Sequence, residues 1–284
     1  MKKIARVFPQ RTNATPDDEL AFTSGPPSTP IDVDEVHVSC TFTYDIDLAE
    51  TLAEEWSAAG YAVSIGGPAY DDRGAEFTPG RYLKPGYTIT SRGCDNKCWF
   101  CSVPKREGTI RELDIKEGHV LQDSNLLACS EDHISAVFDM LDRQNSRTIF
   151  SGGLEAKRLD NWHVSRLWNL RPSRMFFAYD TPDDLEPLIE AGKKLRYADF
   201  TRSHLSCYVL MGYPRDTIDN AVKRMEQTWN AGFLPTAMLL KNTQGSDMSD
   251  DKEWRSLQRT YMRPAATKAQ FRAEYLAKYN RLLR

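Results

Sequence analysis

"SRGCDNKCWFC", residues 91–101, concentrates three of the chain's six cysteines, Cys94, Cys98 and Cys101, within eight positions. Their spacing is C-x3-C-x2-C, and an Asp, an Asn and a Lys separate the first two. Buried structural thiols are expected in apolar segments, so a polar loop that gathers three cysteines is typical of a site where thiolates bind a metal.

Three thiolates suit two kinds of metal site. Soft sulfur ligands select iron–sulfur clusters or zinc, and a cubane cluster held at three corners keeps its fourth iron open for a small molecule. A structural zinc site needs a fourth protein ligand, for which the distant His119 is the candidate. The spacing favours the cluster and leaves zinc as the alternative.

Around this loop the chain alternates short strand-like and helical segments. Six strands with intervening helices over residues 87–243 predict an α/β fold, a partial (β/α)6 TIM-like barrel, in which functional groups lie at the carboxyl ends of the strands. Residues 35–86 predict an N-terminal βαβ extension. Residues 1–34, rich in Pro, Thr, Asp and Ser, predict an extended arm, and residues 244–284 a helical basic tail.

Composition narrows the range of partners. The 284 residues carry a formal net charge of −3, with 40% hydrophobic and 27% charged residues, which is typical of a globular protein and gives no general indication of nucleic-acid or membrane binding. The first residues have no apolar run after their lysines, so no signal peptide is expected. We therefore expect a cytoplasmic protein whose thiols stay reduced.

Three segments resemble one known family. "TSRGCDNKCWFCSVPKREG" is similar to the cluster loop of the radical S-adenosylmethionine (SAM) superfamily, C-x3-C-x-aromatic-C, and especially to that of its methylthiotransferase and cobalamin-binding-type branches. "CYVLMGYPRDT" resembles the fifth-strand segment of those proteins, and "QDSNLLA" the second-strand segment of the cobalamin type.

The resemblance implies a [4Fe-4S] cluster on Cys94, Cys98 and Cys101, with SAM bound to the open iron. Reductive cleavage of SAM would yield a 5′-deoxyadenosyl radical that abstracts hydrogen from a substrate the sequence does not identify. A reductant protein such as flavodoxin or ferredoxin is the implied partner. The alternatives are methylthiolation or methylation of a nucleic acid, and a non-catalytic iron–sulfur or zinc protein.

The resemblance also implies contacts to SAM near the cysteine loop. Phe100 matches the motif aromatic, which lies beside adenine in the family. Asp123 and Asn125 follow the second predicted strand, where the superfamily usually has a Gly-Gly-Glu segment for the SAM ammonium. "QDSNLL" departs from that pattern, and a strand-capping turn is the alternative for both residues.

Further candidates follow the third predicted strand. In "FSGGLEA", Gly152 and Gly153 would let backbone approach a ligand, and Glu155 would accept a hydrogen bond from the SAM ribose or ammonium. The alternative is a tight turn with Glu155 as a charge near a helix N-terminus.

Two later strand ends complete the predicted site. Asp180 ends the fourth strand, with a helix cap as its alternative role. Gly212 and Tyr213 match the fifth-strand segment that lies near adenine in the family.

The remaining segments carry weaker signals. The βαβ unit resembles a truncated cobalamin-binding domain, and functional cobalamin is not expected because that domain is incomplete. Cys40, Cys129 and Cys207 are expected to be structural, with an auxiliary cluster as the alternative. In the basic tail, Trp254 and Tyr261 would stack on bases if the tail bound nucleic acid; a solvated helix is the favoured interpretation.

Overall fold

The computed structural model describes residues 2–74, 76–241 and 248–282, which fall into two units, Met1–Ser146 and Arg147–Arg284. Both units combine parallel strands with helices, so the predicted α/β class is confirmed. The described residues show no closed barrel, and the partial (β/α)6 barrel stays a prediction, as do the predicted domain boundaries.

A four-stranded parallel sheet opens the first unit. In sheet order its strands are β2, β1, β3 and β4. Their bounds are Ile4–Val7 for β1, Ala21–Phe22 for β2, Glu35–Ser39 for β3 and Val63–Gly66 for β4. Helix α1, Ile46–Ala58, presents Leu52 and Trp56 to the core of this sheet, which contains Val36 and Val38. Apolar side chains at alternate positions of β3 thus pack against apolar side chains on one face of α1, and together they form one core.

The prediction that residues 1–34 form an extended arm is wrong at Ile4–Val7, which form the strand β1. β1 lies inside the sheet and pairs with β3 from Ile4↔Glu35 to Val7↔Val38, and Ala5 and Val7 are fully buried. Pro- and Asp-rich flanks dominated the composition of this segment. The four-residue "IARV" core was too short to predict a strand, although burial of its apolar side chains suffices to hold it in the sheet.

The rest of the first unit surrounds the cysteine loop with short elements. These are β5 (Tyr87–Thr88), β6 (Ser91–Arg92), α2 (Val103–Glu107), β7 (Arg111–Glu112), β8 (Val120–Leu121) and α3 (Glu131–Asp142). β5 pairs with β8 in parallel, and β6 pairs with β7 in antiparallel fashion. The cysteine loop therefore lies between two paired strands, which fix its two ends.

The strands predicted over residues 87–94 and 119–129 are shorter than expected. Between β5 and β6, the backbone N–H and the hydroxyl of Thr90 both donate to Asp123 Oδ1, at 2.8 and 2.9 Å. The Asp123 side chain accepts hydrogen bonds in a place where the backbone of a neighbouring strand would otherwise accept them. Strand pairing is therefore interrupted at Thr90.

The strands of the second unit pair in parallel with one another. Its strands pair in the order β9, β10, β11, β12, with bounds Ile149–Phe150, Arg174–Tyr179, Leu205–Met211 and Leu234–Leu239. Its helices are α4 (Asn161–Leu170), α5 (Leu185–Tyr197), α6 (Ile218–Ala231), α7 (Lys252–Tyr261) and α8 (Pro264–Leu282). The Thr217 side chain caps the start of α6, and Gly232 ends it in a left-handed conformation.

Of the tail predicted over residues 244–284, the described part forms the helices α7 and α8, and residues 244–247 and 283–284 lie outside the described residues. The alternative in which its aromatic residues stack on nucleic acid is wrong. Trp254 and Tyr261 are 6% and 3% exposed. Phe271 of α8 stacks on Trp229 of α6, with ring centroids 4.4 Å apart. These aromatic side chains are core residues of the second unit, so they are not available to bases. Among the described residues, no helix combines the length and apolar composition that crossing a bilayer requires.

Candidate metal and S-adenosylmethionine site

Two backbone hydrogen bonds stabilise the cysteine loop. Cys94 N–H donates to the carbonyl of Gly108 at 3.1 Å, and Cys101 N–H donates to the carbonyl of Cys98 at 3.1 Å. Cys98 is exposed, whereas Cys94 and Cys101 are half-buried. The loop thus presents its central thiol to solvent and keeps the other two near the protein body.

Gly93 makes the entry to the loop. Its φ is +85°, and an added Cβ would collide with the backbone carbonyl oxygen of Thr109. Only glycine satisfies both conditions. The residue just before Cys94 is therefore fixed by close approach of two backbone segments.

The carboxylate of Glu107, the last residue of α2, connects segments on both sides of the cysteine loop. No sequence pattern indicated this residue. Its carboxylate accepts from Gly93 N–H at 2.9 Å, from Arg106 Nη2 at 2.6 Å and from Ser124 Oγ at 3.2 Å. Arg92 lies 3.8 Å away. Burial opposes ionisation, but the bonds from Arg106 and Gly93 outweigh it and hold the pKa of Glu107 below its usual value.

Replacing Glu107 with glutamine is expected to destabilise the protein by about 1–2 kcal/mol at pH 7, because charge-assisted hydrogen bonds become neutral ones. The lowered pKa means that this stabilisation is present above the unfolded-state pKa and is lost as pH falls through the folded-state pKa. Denaturant unfolding at pH 7 and at acidic pH measures the difference, with exposed Glu117→Gln as the matched control. An equal stability difference from wild type at both pH values would contradict the role of the charge.

Two predicted residues of the first unit lie at this loop. Asn125 Nδ2 donates to Cys94 Sγ at 3.5 Å. Asp123 is 2% exposed and its Oδ1 accepts from Thr90 and Ser91, while Oδ2 has no hydrogen-bond partner among the described residues. Burial raises the pKa of Asp123, opposed by its bonds to Ser91 and Thr90. The structure thus brings the ends of β5, β6 and β8 together beside Cys94.

The donor set fits an iron–sulfur cluster by its chemistry. Three thiols share one loop, and the amide of Asn125 is positioned to stabilise thiolate charge on Cys94. No group of three His, Cys, Asp or Glu side chains within the described part of the chain converges as a preformed metal site. This finding applies to the three loop cysteines as well as to zinc with His119, whose ring packs over Gly86, so both kinds of metal site stay predictions.

Phe100 is half-buried and packs edge-to-face against Trp99, with ring centroids 5.4 Å apart. Trp99 itself is 57% exposed. The motif aromatic is therefore part of an aromatic pair at the loop. Its contact with adenine stays a prediction.

Three predicted contacts in the second unit, Glu155, Gly153 and Asp180, have different surroundings. Glu155 pairs with Arg158 at 2.8 Å, and Gly153 has a φ of +103° just after β9. Asp180 follows β10; the next turn is capped by Thr181, whose backbone N–H donates to Asp184 Oδ2 at 2.7 Å, and not by Asp180. Burial and the neighbouring Asp184 raise the pKa of Asp180 to about 7.

The remaining candidates of this unit, Gly152, Gly212 and Tyr213, differ in surroundings. Gly152 is exposed. Gly212 follows β11 with a φ of +72°, and its Cα faces Leu239, Met248 and Trp254. The Arg224 guanidinium lies over the Tyr213 ring, 5.0 Å from its centroid. Their roles toward SAM stay predictions.

The three cysteines outside the loop have the properties of structural thiols. Cys40 and Cys207 are fully buried, and burial raises the pKa of both. Burial also raises the pKa of Cys129, to about 11. Thiols that resist deprotonation are poor metal ligands.

Comparison with known proteins finds relatives that carry the name of a ribosomal protein methylthiotransferase. No family model matches the chain. The ribosomal protein uS12 methylthiotransferase RimO of Actinobacillus pleuropneumoniae serotype 5b is 31% identical over 166 residues, covering 55% of this chain and 37% of the relative. The RimO of Actinobacillus succinogenes is 30% identical over 177 residues (56% and 39%), and that of Haemophilus ducreyi 29% over 170 residues (55% and 37%).

The resemblance to the methylthiotransferases is confirmed. With it, the implied cofactors of that branch, a [4Fe-4S] cluster and SAM, are supported for this chain. The chain spans less than two fifths of the length of these curated relatives.

Proposed function

We propose that this protein is a radical SAM enzyme that holds a [4Fe-4S] cluster on Cys94, Cys98 and Cys101. The observation that carries the proposal is the C-x3-C-x2-C loop, fixed at both ends and supplied with an amide donor at Cys94. Cys94, Cys98 and Cys101 would hold the cluster, which would supply the electron for reductive cleavage of SAM and so for hydrogen abstraction from a substrate.

The residues of this chain position the cluster ligands and stabilise their negative charge. The three thiolates bind iron, and their spacing leaves one corner of a cubane without a protein ligand. Asn125 donates to Cys94 and so stabilises the negative charge of the ligand set. Glu107 and Asp123 hold the segments before and after the loop, which keeps the ligands in register. A flavodoxin- or ferredoxin-type protein would deliver the electron.

A second candidate function is methylthiolation of a protein. The relatives carry the name of a methylthiotransferase acting on ribosomal protein uS12, which favours a protein over a nucleic acid as substrate. Cys40, just after β3, and Cys207, in β11, are fully buried and lie outside the cysteine loop, which does not favour them as ligands of a second, sulfur-donating cluster. For this reason reductive cleavage of SAM is the primary proposal and methylthiolation the secondary one.

The test is SAM cleavage by the full chain purified and reconstituted under anaerobic conditions. With dithionite and SAM, we expect equal amounts of iron and sulfide in the protein and release of 5′-deoxyadenosine, measured by chromatography. Stoichiometric zinc, or a cluster-loaded sample that releases no 5′-deoxyadenosine, would overturn the proposal. Adding purified uS12 and looking for a methylthio mass increment tests the second candidate separately.

A further inference from the structure

The proposed SAM chemistry requires an electron from outside the protein. One electron leaves a donor, which is oxidised, and enters the cluster held by Cys94, Cys98 and Cys101, which is reduced; no bond or proton changes in this step. Because electron transfer slows steeply with distance, the donor has to dock close to these three cysteines. Cys98 is exposed, so solvent reaches the ligand set at that position of the loop.

Trp99, next to Cys98, is an exposed apolar side chain of the cysteine loop. It is 57% exposed, although tryptophan is highly buried on average. The half-buried Phe100 packs edge-to-face against it, with ring centroids 5.4 Å apart. Tryptophan is enriched at protein interfaces, where a single buried indole often dominates the binding energy. An indole left in solvent beside a ligand cysteine is therefore a candidate contact for a protein partner.

The charge of the loop indicates the charge of that partner. Residues 91–111 contain five Lys or Arg and two Asp or Glu, whereas the whole chain has a formal net charge of −3. Lys97 and Lys105 are both exposed, and both lie on the segment that the hydrogen bond from Cys94 N–H to the Gly108 carbonyl closes. A local excess of positive charge on an acidic protein attracts a partner with an acidic surface.

The two acids of the segment do not cancel this excess. Glu107 is buried and accepts from Arg106 Nη2 at 2.6 Å, so these two charges compensate each other. Asp95 is exposed, and its Oδ1 accepts from the backbone N–H of Ile110 at 3.2 Å. Asp95 therefore offsets one of the two exposed lysines and leaves the other.

Arg111, in the strand β7 that follows the loop, adds an exposed cation. Its guanidinium donates to the uncharged backbone carbonyls of Arg73 and Gly74, at 3.0 and 3.3 Å, and these bonds do not cancel its charge. The next residue, Glu112, accepts from the backbone N–H of Ser130 at 2.6 Å. Successive side chains of a strand point to opposite faces, so the acid lies on the other face of β7 and the face of Arg111 stays positive.

We propose that the exposed surface of the cysteine loop, formed by Lys97, Trp99 and Lys105, is the docking site of a small acidic electron-transfer protein of the flavodoxin type. Trp99 provides an apolar contact, and the lysines attract and orient the acidic surface of the donor. Interfaces of electron-transfer proteins are small and weak, which suits a donor that leaves after each electron. The surface has this use only if the proposed function holds.

Binding of oxidised flavodoxin to the cluster-free full chain tests the docking site without any catalysis. Microscale thermophoresis at low and high salt is expected to show binding at low salt that weakens about tenfold or more at high salt, because the attraction is between exposed charges. Absence of binding at low salt, or binding that salt leaves unchanged, would overturn the proposal.

Variants of the loop locate the site. Lys97→Glu together with Lys105→Glu is expected to weaken flavodoxin binding about tenfold or more at low salt and to reduce its dependence on salt. Trp99→Ala is expected to weaken binding about tenfold, and Trp99→Phe, which keeps a flat apolar ring, is expected to weaken it less. The control is Lys3→Glu, the same charge change on an exposed lysine just before β1, which is expected to stay within about twofold of wild type. Equal weakening by Lys3→Glu would show a general effect of charge and overturn the site.

Two reductants separate the docking site from the SAM chemistry. When excess dithionite completes the reduction before SAM is added, the double lysine variant is expected to hold wild-type iron and release wild-type amounts of 5′-deoxyadenosine. With limiting reduced flavodoxin, its release is expected to fall by the same factor as its affinity. Equal loss with both reductants would assign the lysines to the cluster or to SAM and overturn the docking site. Wild-type protein that releases nothing with dithionite contradicts the proposed function instead, and the flavodoxin titration still decides whether the loop binds the donor.

Discussion

Cys98→Ala is expected to remain folded but to lose the iron–sulfur cluster and all release of 5′-deoxyadenosine. The thiol is exposed, so its removal leaves no buried cavity and little change in stability is expected. The loss falls on the cofactor, because two remaining thiolates cannot hold a cubane that needs three. Iron and sulfide content after anaerobic reconstitution, together with 5′-deoxyadenosine yield, measures the effect.

The matched control is Cys129→Ala, which removes a thiol outside the loop. Burial raises the pKa of Cys129 to about 11, so little thiolate is available to bind metal. We expect this variant to keep wild-type iron content. Full iron content in Cys98→Ala, or equal loss in both variants, would contradict the assignment of the loop as the cluster site.

Gly93→Ala is expected to have the second largest effect. A positive φ costs an L-residue about 1–2 kcal/mol, and crowding against the Thr109 carbonyl adds about 1–3 kcal/mol. The strain falls where Gly93 N–H donates to Glu107, so the entry to the loop should shift and cluster retention should fall. Thermal unfolding of the cluster-free protein and the rate of iron loss to a chelator measure the two consequences.

Gly108→Ala separates the two sources of strain. Gly108 also has a positive φ, +80°, but an added Cβ there would meet no atom within 4 Å. We expect Gly108→Ala to show the conformational cost alone and to retain more iron than Gly93→Ala. Equal effects of the two substitutions would show that close backbone approach at Gly93 does not matter.

Local patterns explain what could be predicted. The helix boundary at Gly232 and the cysteine loop depend on residues close together in sequence, and strands β10, β11 and β12 are each six or seven residues long, enough for a local pattern to indicate them. The arm over residues 1–34 was wrong for the opposite reason. Its strand β1 is held by pairing with β3, some thirty positions away, and four residues carry too little pattern to indicate such a partner.

The sequence by itself indicated the chemistry of the proposed metal site, because it gathers three thiols within eight positions of one polar loop. Only the tertiary structure decided what surrounds them. Glu107 reaches Gly93 and Ser124, and Asn125 reaches Cys94, through the pairing of strands distant in sequence. A shift of one residue in strand register reverses which face each side chain occupies. The supporting bonds therefore follow from long-range packing, which local spacing does not encode.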